Sequence, residues 1–282
     1  RTPRAVAVAR VRVNDTERRV REPVPPVLRR FHSAHDVVPR AHLLSNGRYS
    51  VMVTAAGSGY SRFRDKSVTR WREDTTRDPW GTYIFLRDVQ RGTVWSAGFQ
   101  PAGAVPERYE VDFSQDRAEF SRRDGTIETT MEVVVSPQDD AEVRRITLRN
   151  TGINIREIDV TSYAEIVLAT AAADQAHPAF SNLFVSTEFI PDVNGLVCTR
   201  RPRSPDEPSL WVAHVVVADG ETVGPVQYES DRSRFLGRGR GIRTPMCVID
   251  GRPLSGTVGA VLDPVVSLRR RLRLQPGQSA HV

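Results

Sequence analysis

Lysine is almost missing from this chain: Lys66 is the single lysine among 40 basic residues in 282. The rest are arginines, spread along the sequence and interleaved with acids, as in the ArgArgAspGly run at residues 122–125. Tracking a phosphate backbone needs a one-sided basic surface. The net charge of +6 and pI near 9.9 therefore read as a genome-wide arginine skew, and no nucleic-acid partner is expected. The GlyArgGlyArgGly run at 237–241 is one short copy of a pattern that RNA-binding tracts repeat. Cysteine is scarce too. Cys198 and Cys247 lie far apart without CxxC or histidine-rich spacing, so no metal site is expected. Buried free thiols of a reducing compartment are the first reading, a Cys198–Cys247 disulfide the second. No apolar run approaches the ~18–20 residues of a membrane helix, so no direct membrane insertion is expected. The opening RTPRAVAVARVRV lacks the apolar core of a signal peptide. No P-loop, dinucleotide fingerprint or Ser-His-Asp order is present, and no cofactor is expected. Asp139, Asp140 and Glu142 read as a solvated turn rather than a catalytic pair.

What is present is ordinary for a globular protein, with 39% apolar and 26% charged residues. The length permits one large β domain or two smaller ones. Residues 1–40, rich in arginine and proline, read as a linker or an arm lying on the domain. From residue 41 to 282 the pattern changes to short alternating runs of Val, Ile, Thr, Tyr and Phe, such as 49–54, 82–87, 127–135, 143–149, 157–168 and 265–274, which are strands. Asn46-Gly47, Asp124-Gly125, Asn194-Gly195 and Pro276-Gly277 are among the turn signals between them. The expected fold is all-β, a large antiparallel two-sheet sandwich with little helix. One helical piece is expected at 231–236, with Ser230 as N-cap and Gly237 as the stop.

Residues 42–88 concentrate aromatic rings, arginines and carboxylates beside a glycine-rich turn. Pyranose rings offer C–H faces that stack on Trp or Tyr, and vicinal hydroxyls that suit the Arg fork or a carboxylate. Tyr60, Trp71, Trp80 and Tyr83 supply rings; Arg62, Arg64, Asp65, Arg70, Arg72, Asp74 and Asp78 supply polar groups. The same residues equally form a structural lattice of arginines and carboxylates covering a sheet edge.

The segments SNGRYSVMVTAAGSGYSRFRD (45–65) and TRWREDTTRDPWGTYIFLRD (69–88) resemble the opening of the N-terminal β-sandwich of the inverting glycoside phosphorylases, the cellobiose phosphorylase family. The resemblance is nearest to the cyclic β-1,2-glucan synthases. It continues through SPQDDAEVRRITLRN (136–150), TSYAEIVLA (161–169), HPAFSNLFVSTEF (177–189), TRRPRSPDEP (199–208), FLGRGRG (235–241) and VLDPVVSLRR (261–270), so it covers about 41–282. It implies a galactose mutarotase-like supersandwich that precedes a helical linker and an (α/α)6 barrel. In the family, an acid on the barrel protonates the leaving oxygen while phosphate attacks the anomeric carbon from the opposite face. No catalytic residue is therefore assigned to this sequence. The implied partners are β-1,2-linked glucan and the barrel. The implied setting is the cytoplasmic side of the inner membrane, in a large bacterial protein with a separate UDP-glucose-using region. In the phosphorylases a loop at 172–182 reaches the acceptor sugar with an arginine. This sequence has no Arg or Lys between Glu157 and Thr199, which leaves Gln175, His177 and Asn182 as candidate sugar contacts, with a hydrogen-bonded core histidine as the other reading of His177. The tentative carbohydrate-binding set is thus Tyr60, Arg62, Arg70, Trp71, Trp80, Gln175, His177 and Asn182. Two alternative functions are an autonomous carbohydrate-binding module and a mutarotase-like enzyme.

Overall fold

A computed structural model describes residues 28–282 except Thr75 and Asp206. Among the described residues, nineteen strands lie in three antiparallel sheets, of six, nine and four strands. Alternation decides which way each strand faces. In Tyr49–Thr54, Tyr49, Val51 and Val53 are buried while Ser50 and Met52 are half-exposed. Ile127–Val135 buries Ile127, Thr129, Met131 and Val133 in the same way. Its pairing with Arg117–Asp124 starts at Ile127↔Asp124. Gly125 turns the chain there at a φ of 59°, which a side chain resists.

The long strand Arg156–Thr170 organises the molecule. It pairs with Pro264–Leu274 along most of its length, with Tyr83–Asp88 over residues 158–163, and with Lys66–Thr69 near its end. It is buried almost throughout, because both its faces are covered. Ile158, Val160, Ala164, Ile166 and Leu168 join one core with residues of all three sheets. From the opposite face Tyr163 joins a second core with Phe85, Phe235, Leu236, Cys247 and Val265. Near the end of the strand the register shifts between Ile166 and Ala169, with Leu168 in the left-handed region at φ 53°. Such a bulge bends a strand and re-aims the residues beyond it. Here the chain leaves the sheet for a helical segment.

The sandwich is the all-β antiparallel fold expected, with a third, four-stranded sheet on the same core. Both thiols are free and buried; burial pushes that of Cys198 up to about 12. Arg29–Phe31, within the stretch read as linker or arm, lies on the domain as an edge strand paired with Arg108–Phe113; residues 1–27 of that stretch lie outside the described residues.

Helix is more frequent than the sequence suggests. Ala171–Ala176, Pro178–Asn182, Arg232–Leu236 and Met246–Ile249 are all helical. None is longer than six residues, too short for a 3.6-residue period to repeat. The cap of Arg232–Leu236 is Asp231, not Ser230: the Asp231 carboxylate accepts from the Ser233 N–H. Ser230 is instead buried, its hydroxyl donating to the Thr257 carbonyl. Gly237 follows as the stop.

Candidate functional site

The helical segment 171–182 sits at the end of the central strand. Thr170 caps its first helix by accepting from the Ala173 N–H, and Pro178 opens the second, where a missing N–H costs nothing. What pins the segment is an ionic network centred on the buried Arg70. The Arg70 guanidinium donates to Glu165 at 2.7 Å, to both oxygens of Asp174 at 3.1 and 3.2 Å, to Asn182 at 2.8 Å and to Asp263 at 3.2 Å. Arg232 donates to Glu165 at 2.8 Å and Asp263 at 3.3 Å, and the Tyr163 hydroxyl donates to Glu165 at 2.9 Å. Asn182 closes the ring by donating to Asp263 at 3.1 Å.

The side chains of Arg70, Glu165 and Asp174 are respectively 5%, 7% and 5% exposed. Burial alone would lower the Arg70 pKa, but the charges of Glu165, Asp174 and Asp263 outweigh it and raise the pKa. The Tyr163 hydroxyl is pushed well above its ordinary value by burial and by the Glu165 charge. Each carboxylate here has its partners, so none stands free as a general acid or base. The network is a clamp: it ties the end of Lys66–Thr69, the central strand, both short helices and the approach to Pro264–Leu274 into one unit.

The expected sugar contacts fall into three groups. Arg70 and Asn182 are buried, and their polar groups are spent within the clamp, which is the lattice reading of the arginines rather than the sugar reading. Tyr60, Arg62, Trp71 and Trp80 are half-exposed. Tyr60 meets Trp71 edge-on with centroids 5.6 Å apart, and Arg62 lies over the Tyr60 ring at 4.8 Å. Arg72 covers Trp80 at 5.7 Å. Tyr60 and Arg62 alternate with Ser61, which reaches inward to Glu142; they therefore share the outer face of the nine-stranded sheet with the clamp. Gln175 and His177 are exposed on the helical segment. His177 is no core histidine, for its side chain is solvent-facing and does not cap the helix after it.

Beyond His177 the segment ends in an apolar and cationic patch. Phe180 and Leu183 are 55% and 53% exposed, Phe180 meets Phe184 edge-on, and Arg203 lies over both rings at 5.6 and 5.0 Å. Sequence reasoning does not find Glu165, Asp174, Arg232 or Asp263. Glu165, Asp174 and Asp263 join Arg70 from 95, 104 and 193 residues away, and no local pattern announces such a meeting.

The chain matches the family described as glycosyl hydrolase 94, supersandwich domain, over residues 24–282. The chain belongs to that family. It is 45% identical over 240 residues to the cyclic beta-(1,2)-glucan synthase NdvB of Rhizobium meliloti (strain 1021), a match that covers 85% of this chain and 8% of that protein. It is 26% identical over 245 residues to the N,N'-diacetylchitobiose phosphorylase of Vibrio proteolyticus, and 26% identical over 196 residues to the solabiose phosphorylase of Paenibacillus borealis. Those matches cover 85% and 70% of this chain, and 30% and 24% of the relatives. The supersandwich thus spans a minor part of each relative. Among the described residues no helix is long and apolar enough to cross a membrane.

Proposed function

We propose that this supersandwich serves a protein of the cyclic β-1,2-glucan synthase kind, where it supports carbohydrate binding at a phosphorylase-like site that a helical barrel completes. In this reading it has little catalysis of its own, and it works on the cytoplasmic side of the inner membrane. The observation that carries the reading is the clamped segment 171–182. A network of five charged side chains holds two very short helices against the sheet, and what they present outward is Gln175, His177 and the Phe180–Leu183 patch. A fold that needed only a loop would not require so many ionic contacts to fix it, whereas a segment that must meet a sugar and a second domain in one geometry does.

In the full-length parent, His177→Ala is expected to raise the KM for the acceptor glucan while the melting temperature stays nearly unchanged, since an exposed side chain is removed. Normal kinetics would remove His177 from the site. The chain alone, mixed with phosphate and β-1,2-glucan, should release no glucose 1-phosphate, and release would overturn the supporting role. An autonomous carbohydrate-binding module is the second reading, favoured by the Tyr60, Arg62 and Trp71 cluster on the sheet face. It requires the isolated chain to bind β-1,2-glucan at micromolar to millimolar levels.

A further inference from the structure

A pocket of about 280 Å³ opens where the strand Tyr49–Thr54 ends. Thr54 lines it, and two loops, at 33–40 and 76–78, supply much of the rest of its wall. By alternation Thr54 stands on the side of Ser50 and Met52, away from the core that Val51 and Val53 join. Even so it is buried, and its hydroxyl has no hydrogen-bond partner among the described residues. A buried hydroxyl is costly unless something supplies the missing bond.

The other polar groups of the pocket are of both signs. Arg40 and Asp36 lie 2.9 Å apart and neutralise one another. Arg77, Asp78 and Gln100 add a guanidinium, a carboxylate and an amide. Burial raises the Asp78 pKa against a Ser58 hydrogen bond, with Asp74 adding to the rise, so no cation holds this carboxylate. Two arginines thus face two aspartates, and the charge of the lining sums to zero. An anion would meet the carboxylates and a cation the guanidiniums; a neutral ligand with several hydroxyls satisfies both kinds at once. Pro39, Ala55 and Ala56 add apolar surface, which suits the C–H face of a pyranose. The volume is at the lower end of small-molecule sites, ~300 Å³, enough for one ring and too little for a chain of them.

We propose that this pocket binds a single neutral hexopyranose through Thr54, Arg77, Asp78 and Gln100. None of these residues belongs to the Arg70 clamp or to the Tyr60, Arg62 and Trp71 cluster, so the site is separate from both and does not rest on the synthase reading. Titration of the chain with D-glucose, followed by backbone amide NMR, tests it. The amides of Ala55, Arg77 and Gln100 should shift together and saturate with a Kd on the order of 1 mM, as befits so small a ligand. Thr54→Val should weaken binding about three- to tenfold, while the melting temperature does not fall because the lost hydroxyl strands no partner. Asp78→Asn should weaken binding by a similar factor, and Trp71→Ala should leave it unchanged. Amides that stay still at glucose concentrations far above that Kd would overturn the proposal. So would shifts undiminished by both Thr54→Val and Asp78→Asn, and so would shifts that Trp71→Ala abolishes, which would place the sugar on the ring cluster. Displacement of glucose by inorganic phosphate would also overturn it, by making the pocket an anion site.

Discussion

At the scale of single residues, the difference between Arg70 and Arg62 separates structure from surface. Both are candidate sugar contacts on residue type alone. Arg70 lies among three carboxylates in the interior, so Arg70→Met strands Glu165 and Asp174 as buried charges without their main partner. That loss is expected to cost about 3–5 kcal/mol, read as a large drop in the urea midpoint. Arg62 lies over the half-exposed Tyr60 ring, and Arg62→Ala should cost no more than ~1 kcal/mol. Equal effects of the two substitutions would remove the clamp from the account. His214 offers a second test. Its Nε2 is 2.7 Å from the Ser162 hydroxyl, and burial, with a smaller push from Arg144, lowers its pKa to about 4. The unfolded chain takes up a proton near pH 6.5 and the folded one does not until about pH 4. The neutral ring therefore contributes full stability above pH 6.5, and that contribution fades as pH falls through this window, by up to an order of ~3 kcal/mol. Wild type should lose stability relative to His214→Gln between pH 6.5 and 4 in parallel urea melts. A constant difference across that range would mean that the imidazole titrates normally.

At the scale of elements, strands are legible where alternation is long enough to see. Tyr49–Thr54 and Ile127–Val135 stand in the structure at the bounds their patterns give. The central strand is legible too, over 157–168, because β-branched and apolar residues recur along it, although Asp159, Thr161, Ser162 and Glu165 are buried within it. Gly59–Phe63 and Lys66–Thr69 are not. They are short, rich in polar residues, and held by pairing with stronger neighbours rather than by their own propensity. The helices at 171–182 are hidden for a related reason, since their stability comes from the Thr170 cap and the Arg70 network and hardly from their own sequence. Of the candidate site, the rings and the segment are visible as residue types; the network on Arg70 that holds the segment is not, because Glu165 lies on the central strand, Asp174 in the first short helix and Asp263 just before Pro264–Leu274. Gly59 shows how backbone proximity enters. A Cβ there would overlap the Met52 carbonyl on the neighbouring strand. Gly59→Ala should therefore destabilise by more than the ~1 kcal/mol of an ordinary strand substitution, and thermal melts of the two proteins would show it; an unchanged melting temperature would mean that the strands separate easily at this point.

At the scale of the whole molecule, exposed apolar residues are scattered, Val37, Ile153 and Trp211 among them, and one group of them, Phe180 and Leu183, lies where function is proposed. Around the clamp, Tyr60, Trp71 and Trp80 are half-exposed, and Phe180 and Leu183 are exposed at the end of the helical segment, beside Arg203. Grouped apolar exposure marks an interface more often than chance placement does. The family relatives are far longer than this chain, and in the function proposed above a helical barrel covers this region. The measurement that tests this proposal most directly is a titration of the chain with the separately produced helical barrel that the proposed function assigns to it, followed by calorimetry. The account predicts saturable association that Phe180→Asp combined with Leu183→Asp abolishes, with the fold of the chain intact by circular dichroism. No association of the wild-type chain, together with tight binding of β-1,2-glucan by the chain alone, would contradict it.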